Sequence, residues 1–119
     1  VQDMSAVTAA CMMVKRSVFE QVDGFDERYQ VAFNDVDLCM KIRSVNQLIV
    51  FTPYVELYHY ESKSRGKEET RAQIERFHGE IALFKKKWPE ILKTGDPAYS
   101  VNLALDNGNC TLRRVDEKR

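Results

Sequence analysis

Asp35 and Asp37 stand two residues apart, and His59 follows with Glu61 and Ser62 beside it. Two carboxylates and an imidazole in that order are the residue types that can hold a hard divalent cation through oxygen and nitrogen ligands. Each group also has a plain structural reading. Acidic residues in a first helical turn are ordinary complements of the helix dipole, and a single histidine is more often buried or hydrogen-bonded than a ligand. Lys63 and Arg65 lie in the polar run Ser62-Lys63-Ser64-Arg65-Gly66, where a solvated loop is the default. His78, next to Phe77, reads as a helix-face residue. Spacing alone leaves both readings open.

The elements that must position these groups are spread over 119 residues, one domain's worth of chain at most. Lys+Arg and Asp+Glu number 18 each, for a formal net charge of zero. That balance removes the basic footprint of a sequence-independent nucleic-acid binder. It is a cancellation: residues 1–60 carry five basic and eight acidic side chains, and residues 61–119 carry thirteen and ten. Apolar runs such as Leu48 to Phe51 are far shorter than the roughly 20 residues of a membrane-spanning helix. No secretory signal pattern opens the chain, and its start at Val1 predicts a piece of something longer. Three cysteines at wide spacing argue against a disulfide scaffold or a zinc knuckle. They predict reduced thiols in a cytoplasmic protein, with Cys11 and Cys39 as small core residues.

Val7 to Val14 is small and apolar without alternation, as in a strand buried on both faces. Ser17 and Glu20 have capping-box spacing for a short helix carrying Val18, Phe19 and Val22, which Asp23-Gly24 ends. Phe25, Tyr29 and Phe33 are spaced to pack inward from an irregular connector. A second helix opens at Asn34 as its cap, with Asp35 and Asp37 in the first turn, an apolar stripe of Leu38, Ile42 and Val45, and Lys41 and Arg43 near the end. Leu48 to Phe51 reads as a strand. The alternation of Val55, Leu57 and His59 with Glu56, Tyr58 and Tyr60 predicts a second strand or extended segment bearing His59. The longest helical signal runs from Glu68 to Trp88, with Ile74, Phe77, Ile81, Phe84 and Trp88 at intervals of three and four.

Several stretches occur in an order that resembles the C-terminal half of family 2 glycosyltransferases. They are Val7 to Arg16, Phe19-Glu20, Gly24-Phe25-Asp26-Glu27-Arg28, Phe33-Asn34-Asp35-Val36-Asp37-Leu38-Cys39, His59 to Gly66, and Asp96-Pro97-Ala98-Tyr99-Ser100-Val101-Asn102-Leu103. The likeness is strongest to the rhamnosyltransferase-like branch that builds bacterial surface polysaccharides, and it covers nearly the whole chain.

The resemblance implies an α/β chain forming the C-terminal half of a GT-A fold, with few strands, a base-bearing helix and a long C-terminal helix. Residues 1–62 would be its acceptor-side and catalytic-base part, and residues 63–119 a flexible loop, the long helix and a C-terminal extension. It places the general base of an inverting transfer on Asp35. His59 would complete the site of a divalent metal, Mn2+ or Mg2+, and Lys63 and Arg65 would face the donor diphosphate. Asn34, Asp37, Glu61 and Ser62 would support the acceptor or orient their neighbours. Asp35-Val36-Asp37 also has the form of an aspartate-x-aspartate metal motif, but in the family that motif ends a strand in the donor half, whereas this one opens a helix. Asn34 replaces a commoner glutamate and Tyr60 a frequent second histidine.

The implied partners are a nucleotide-diphospho-sugar donor and a glycan or lipid-linked saccharide acceptor, with no nucleic acid. The implied location is the cytoplasm, peripheral to the inner face of the membrane. Without a donor-binding half, this stretch alone is expected to be inactive. The alternative is a non-catalytic module of a glycan-synthesis protein that pairs as a homodimer through the long helix.

Overall fold

The computed structural model describes residues 1–60, 70–106 and 111–114. Among the described residues, two strands and four α-helices follow in the order β1 (Gln2–Met4), α1 (Arg16–Gln21), α2 (Asn34–Ser44), β2 (Ile49–Phe51), α3 (Arg71–Lys87) and α4 (Pro89–Thr94). Among the described residues, no helix is long and apolar enough to cross a membrane.

Helix α2 is the centre. Successive helical residues lie about 100° apart, so the unbroken burial of Asp37, Leu38, Cys39 and Met40, with Ile42 beyond them, means that α2 is packed on most of its circumference. The stripe expected from Leu38 and Ile42 is therefore the middle of a broader buried surface. Val22, Tyr29, Ile49 and Phe84 complete the core around it, with Val18, Phe19, Phe33, Leu83 and Trp88 partly buried against it.

Strands β1 and β2 form an antiparallel pair in the register Gln2 to Phe51, Asp3 to Val50 and Met4 to Ile49. Arg43, near the end of α2, ties this pair to the helix by donating to Asp3 at 3.1 Å and to the Met4 carbonyl at 3.0 Å.

Val7 to Val14 forms no strand. Thr8 accepts the Ala10 N–H through its side chain and starts a 3-10 turn at Ala9–Cys11, so the backbone curls where the small apolar residues suggested extension. Cys11 is exposed as a result, and only Cys39 of the expected pair is a core residue. Burial pushes the Cys39 thiol up, which keeps it neutral, and the thiol lies 3.7 Å from the Val7 carbonyl.

Helix α1 begins one residue before the expected capping box. Lys15 occupies the cap position with no side-chain hydrogen bond, which leaves Ser17 inside the first turn. The exit is as glycine chemistry predicts: Asp23 and Gly24 both have left-handed backbones, and the Gly24 N–H closes on the Phe19 carbonyl at 2.9 Å. A Cβ at Gly24 would sit 2.9 Å from the Phe19 ring, so both backbone and space require glycine. In the connector that follows, Tyr29 is buried and Phe33 half-buried, but Phe25 stays exposed and packs edge-on against Phe19.

Val55 to Tyr60 satisfies the alternation of a strand without becoming one. A strand needs a ladder to take its backbone N–H and C=O groups, and the sheet among the described residues is made of β1 and β2 and does not include this segment. Both of its faces are exposed.

Helix α3 starts at Arg71, three residues after the expected Glu68, behind a cap the spacing did not reveal. The Gln73 N–H donates to Thr70 Oγ1 and the Thr70 N–H donates to Gln73 Oε1, a reciprocal cap. Lys85, Lys86 and Lys87 in its last turn complement the dipole. Pro89 ends α3 and occupies the first position of α4, where its missing N–H costs nothing.

Candidate functional site

Asp35 projects from the first turn of α2 and is half-buried. Its Oδ1 accepts the Val36 N–H at 2.8 Å, and its Oδ2 accepts the Ala9 N–H at 3.1 Å. The second bond explains the turn at Ala9–Cys11: a strand there would direct the Ala9 N–H into a ladder, whereas the 3-10 turn aims it at the carboxylate. An ionised carboxylate has roughly four acceptor positions, so two bonds orient Asp35 and leave capacity for a proton. Asn34 does not cap α2 as expected. The cap position belongs to Phe33, and Asn34 Oδ1 accepts the Asp35 N–H at 2.8 Å.

Asp37 faces the other way. It is fully buried, at 0% exposure, and its carboxylate accepts from Lys87 Nζ at 2.9 Å and from Trp88 Nε1 at 2.8 Å. Lys87 also donates to Asp26 at 2.9 Å, and Arg28 grips the two Asp26 oxygens at 2.8 and 2.7 Å. The chain Arg28, Asp26, Lys87, Asp37, Trp88 thus joins the connector, α2 and the end of α3. Spacing made Asp37 a cap, but its oxygens are taken by groups fifty residues away in sequence.

Electrostatics follows this wiring. The Arg28 guanidinium holds the Asp26 carboxyl far below the usual carboxylate range, with Lys87 adding to the effect against partial burial. Burial works against the Lys87 ammonium, but its bonds to Asp37 and Asp26 outweigh that and raise its pKa. A group whose folded pKa is depressed stabilises the fold above its unfolded value and stops doing so as the pH falls toward the folded one. For Asp26 that loss starts below about pH 4. Urea unfolding at successively lower pH is therefore expected to show falling stability, and Asp26→Asn is expected to flatten that fall.

Phe33 carries a left-handed backbone, φ 64° and ψ 0°. A bulky residue pays roughly 1–2 kcal/mol for this conformation, so its surroundings must enforce it. Two α3 side chains do so directly: Phe77 and Phe84 stack on the Phe33 ring at centroid distances of 6.1 and 5.2 Å. Between them on α3, Glu80 is buried at 3% exposure. It accepts the N–H groups of Gln30 at 2.9 Å, Val31 at 3.2 Å and Ala32 at 2.8 Å. Glu80 and Lys87 carried no functional expectation. The available signal was their place among the apolar positions of α3, where an acid and a lysine on the buried side need partners.

His59 is exposed on the segment Val55 to Tyr60. Glu61, Ser62, Lys63 and Arg65 lie outside the described residues. Among the described residues no three His, Cys, Asp or Glu side chains come together to hold a metal ion. The structure thus assembles Asp35, Asn34 and Asp37 on one turn and does not gather His59 into a ligand set with them.

Two of the relatives that this chain resembles are named for glycan synthesis. The chain is 46% identical over 112 residues to an uncharacterized protein, y4gI, of Sinorhizobium fredii. It is 36% identical over 112 residues to the O-antigen biosynthesis protein RfbC of Myxococcus xanthus. Over 62 residues it is 39% identical to the N-acetylglucosaminyl-diphospho-decaprenol L-rhamnosyltransferase of Mycobacterium tuberculosis. These alignments take in 93%, 94% and 52% of the chain, but only 12%, 8% and 20% of the respective relatives. No family model matches the chain, and no solved structure matches it.

Proposed function

We propose that this chain is the acceptor-side, base-bearing part of a family 2 glycosyltransferase of GT-A fold that inverts the transferred sugar. The observation that carries the reading is Asp35: a half-buried carboxylate at a helix start, oriented by two backbone N–H groups and left with room for a proton. The relatives named for rhamnosyl transfer and O-antigen biosynthesis support sugar transfer as its field.

In the reaction Asp35 accepts the proton of an acceptor hydroxyl as that oxygen attacks the anomeric carbon from the face opposite the leaving group. The bond from carbon to the diphosphate oxygen breaks, and its electron pair leaves with the nucleoside diphosphate. The Ala9 and Val36 N–H groups fix the carboxylate, and its position is what it brings to the rate. Lys63 and Arg65 would offset the charge that develops on the diphosphate. Mn2+ or Mg2+ would serve the same end as a Lewis acid, with His59 as the ligand this chain could offer. Among the described residues no three His, Cys, Asp or Glu side chains form a ligand set.

The donor is a nucleotide-diphospho-sugar and the acceptor a growing glycan or a lipid-linked saccharide. The Mycobacterium tuberculosis relative's name, which joins rhamnosyl transfer to a diphospho-decaprenol, supports the latter kind. Such an acceptor would place the protein at the inner face of the membrane.

The test is to incubate the complete protein with a panel of UDP-, dTDP- and GDP-linked sugars and an N-acetylglucosaminyl-diphospho-polyprenol. The anomeric configuration of the product is then read by NMR. Transfer with inversion is expected. Transfer with retention would contradict a single displacement assisted by one carboxylate.

A further inference from the structure

Among the described residues, the Glu80 carboxylate is the least exposed acid outside α2, and sugar transfer with Asp35 as base gives it no part. Its position is specific. Three consecutive N–H groups, those of Gln30, Val31 and Ala32, converge on its two oxygens, as backbone amides do around a bound anion. Here the anion belongs to the protein and comes from a helix about fifty residues further on. The next residue is Phe33, left-handed and stacked on Phe77 and Phe84, which flank Glu80 on α3. The Phe33 carbonyl then accepts the Asp37 N–H at 2.8 Å and so starts α2, with Asp35 two residues beyond Phe33. Further along α3, Lys87 holds the same turn through Asp37.

Helix α3 therefore grips the entrance to α2 on both sides of Asp35: at the backbone of residues 30–32, at the Phe33 ring and at the Asp37 carboxylate. We propose that Glu80 is a positioning residue for Asp35, an internal anion that fixes the 30–32 backbone and thereby the direction in which the first turn of α2 presents its carboxylate. This rests on the reading of Asp35 as the base.

Glu80→Gln keeps the length of the side chain and one acceptor oxygen, but turns an NH2 group toward amide donors. Glu80→Ala removes the anion. Both are made in the complete protein and assayed with the sugar donor and polyprenol acceptor that the panel above identifies. A misplacement of about 1 Å costs on the order of a hundredfold in rate. Glu80→Gln is therefore expected to lower kcat by roughly tenfold and Glu80→Ala by roughly a hundredfold, with the KM for donor unchanged within about twofold. The circular dichroism and cooperative melting of the Gln variant, the milder of the two, establish that it is folded.

Asp35→Asn and the Asp35→Asn/Glu80→Gln double variant complete the cycle. If Glu80 acts through Asp35, adding Glu80→Gln to Asp35→Asn lowers the residual rate by less than about twofold, because the group being positioned is already gone. Two results overturn the proposal while leaving the base reading intact: folded Glu80→Gln with parental kcat, or the same loss from Glu80→Gln in both backgrounds. Parental kcat in Asp35→Asn overturns the base reading and the proposal with it.

Discussion

Asp35→Asn in the complete protein is expected to lower sugar transfer by about a hundredfold to ten-thousandfold, the usual worth of a positioned acid or base. The substitution nearly preserves shape. An amide oxygen at the Asp35 position can still accept the Val36 or Ala9 N–H, so the turn at Ala9–Cys11 and the start of α2 keep their main restraints. What the amide cannot do is take the acceptor proton. The loss should therefore appear in kcat, with the KM for donor and the melting temperature close to parental. Steady-state assay beside thermal melting checks both sides of this expectation. A rate that fell only as far as the fraction of folded protein fell would trace to structure instead.

Asp37→Ala, two residues away, is expected to act the opposite way, through stability. Asp37 is fully buried, and its removal strips Lys87 of one partner and Trp88 Nε1 of its acceptor. Breaking a buried ion pair on one side costs about 3–5 kcal/mol, because the other charge stays behind. Lys87 keeps Asp26 and is itself about a quarter exposed, so the lower end of that range applies. Urea unfolding should show a drop of about 3 kcal/mol for Asp37→Ala. Lys87→Met leaves Asp37 with Trp88 but no cation, and should also destabilise. The double variant should cost less than the sum of the two, since it removes both charges of one pair. Additive losses would mean that the two groups do not act on one another.

The contrast between the two acids shows how far the residues alone reach. Both sit in a first helical turn, and spacing gives both the same role as dipole complements. Burial separates them, and burial is decided by where α3 lands. Helix α3 itself was legible, because Ile74, Phe77, Ile81, Phe84 and Trp88 recur at the helical period and Pro89 marks the stop. Its use was not: the backbone N–H groups that Glu80 accepts and the Asp37 carboxylate that Lys87 holds are about fifty residues away, and no local pattern reports them. Strand β1 escaped for the same reason. Gln2–Met4 is too short to show alternation and becomes a strand only by pairing with Ile49–Phe51.

Where local preference failed, a tertiary contact had overridden it. Val7 to Val14 is apolar enough for a buried strand, but the Ala9 N–H is spent on Asp35 and Thr8 turns the chain. Val55 to Tyr60 has the period of a strand and forms none. Motif order, by contrast, points to Asp35 without reference to packing, and the relatives named for O-antigen biosynthesis and rhamnosyl transfer suggest sugar transfer in general.

The role of Asp35 as the acceptor base is tested most directly by a single turnover with donor pre-bound to excess complete protein, comparing the parent with Asp35→Asn after acceptor is added. That arrangement separates proton removal and displacement from donor binding and product release. The expected result is equal donor occupancy and a transfer rate at least about a hundredfold slower in the variant. Equal occupancy with a rate within about twofold of the parent would contradict the assignment.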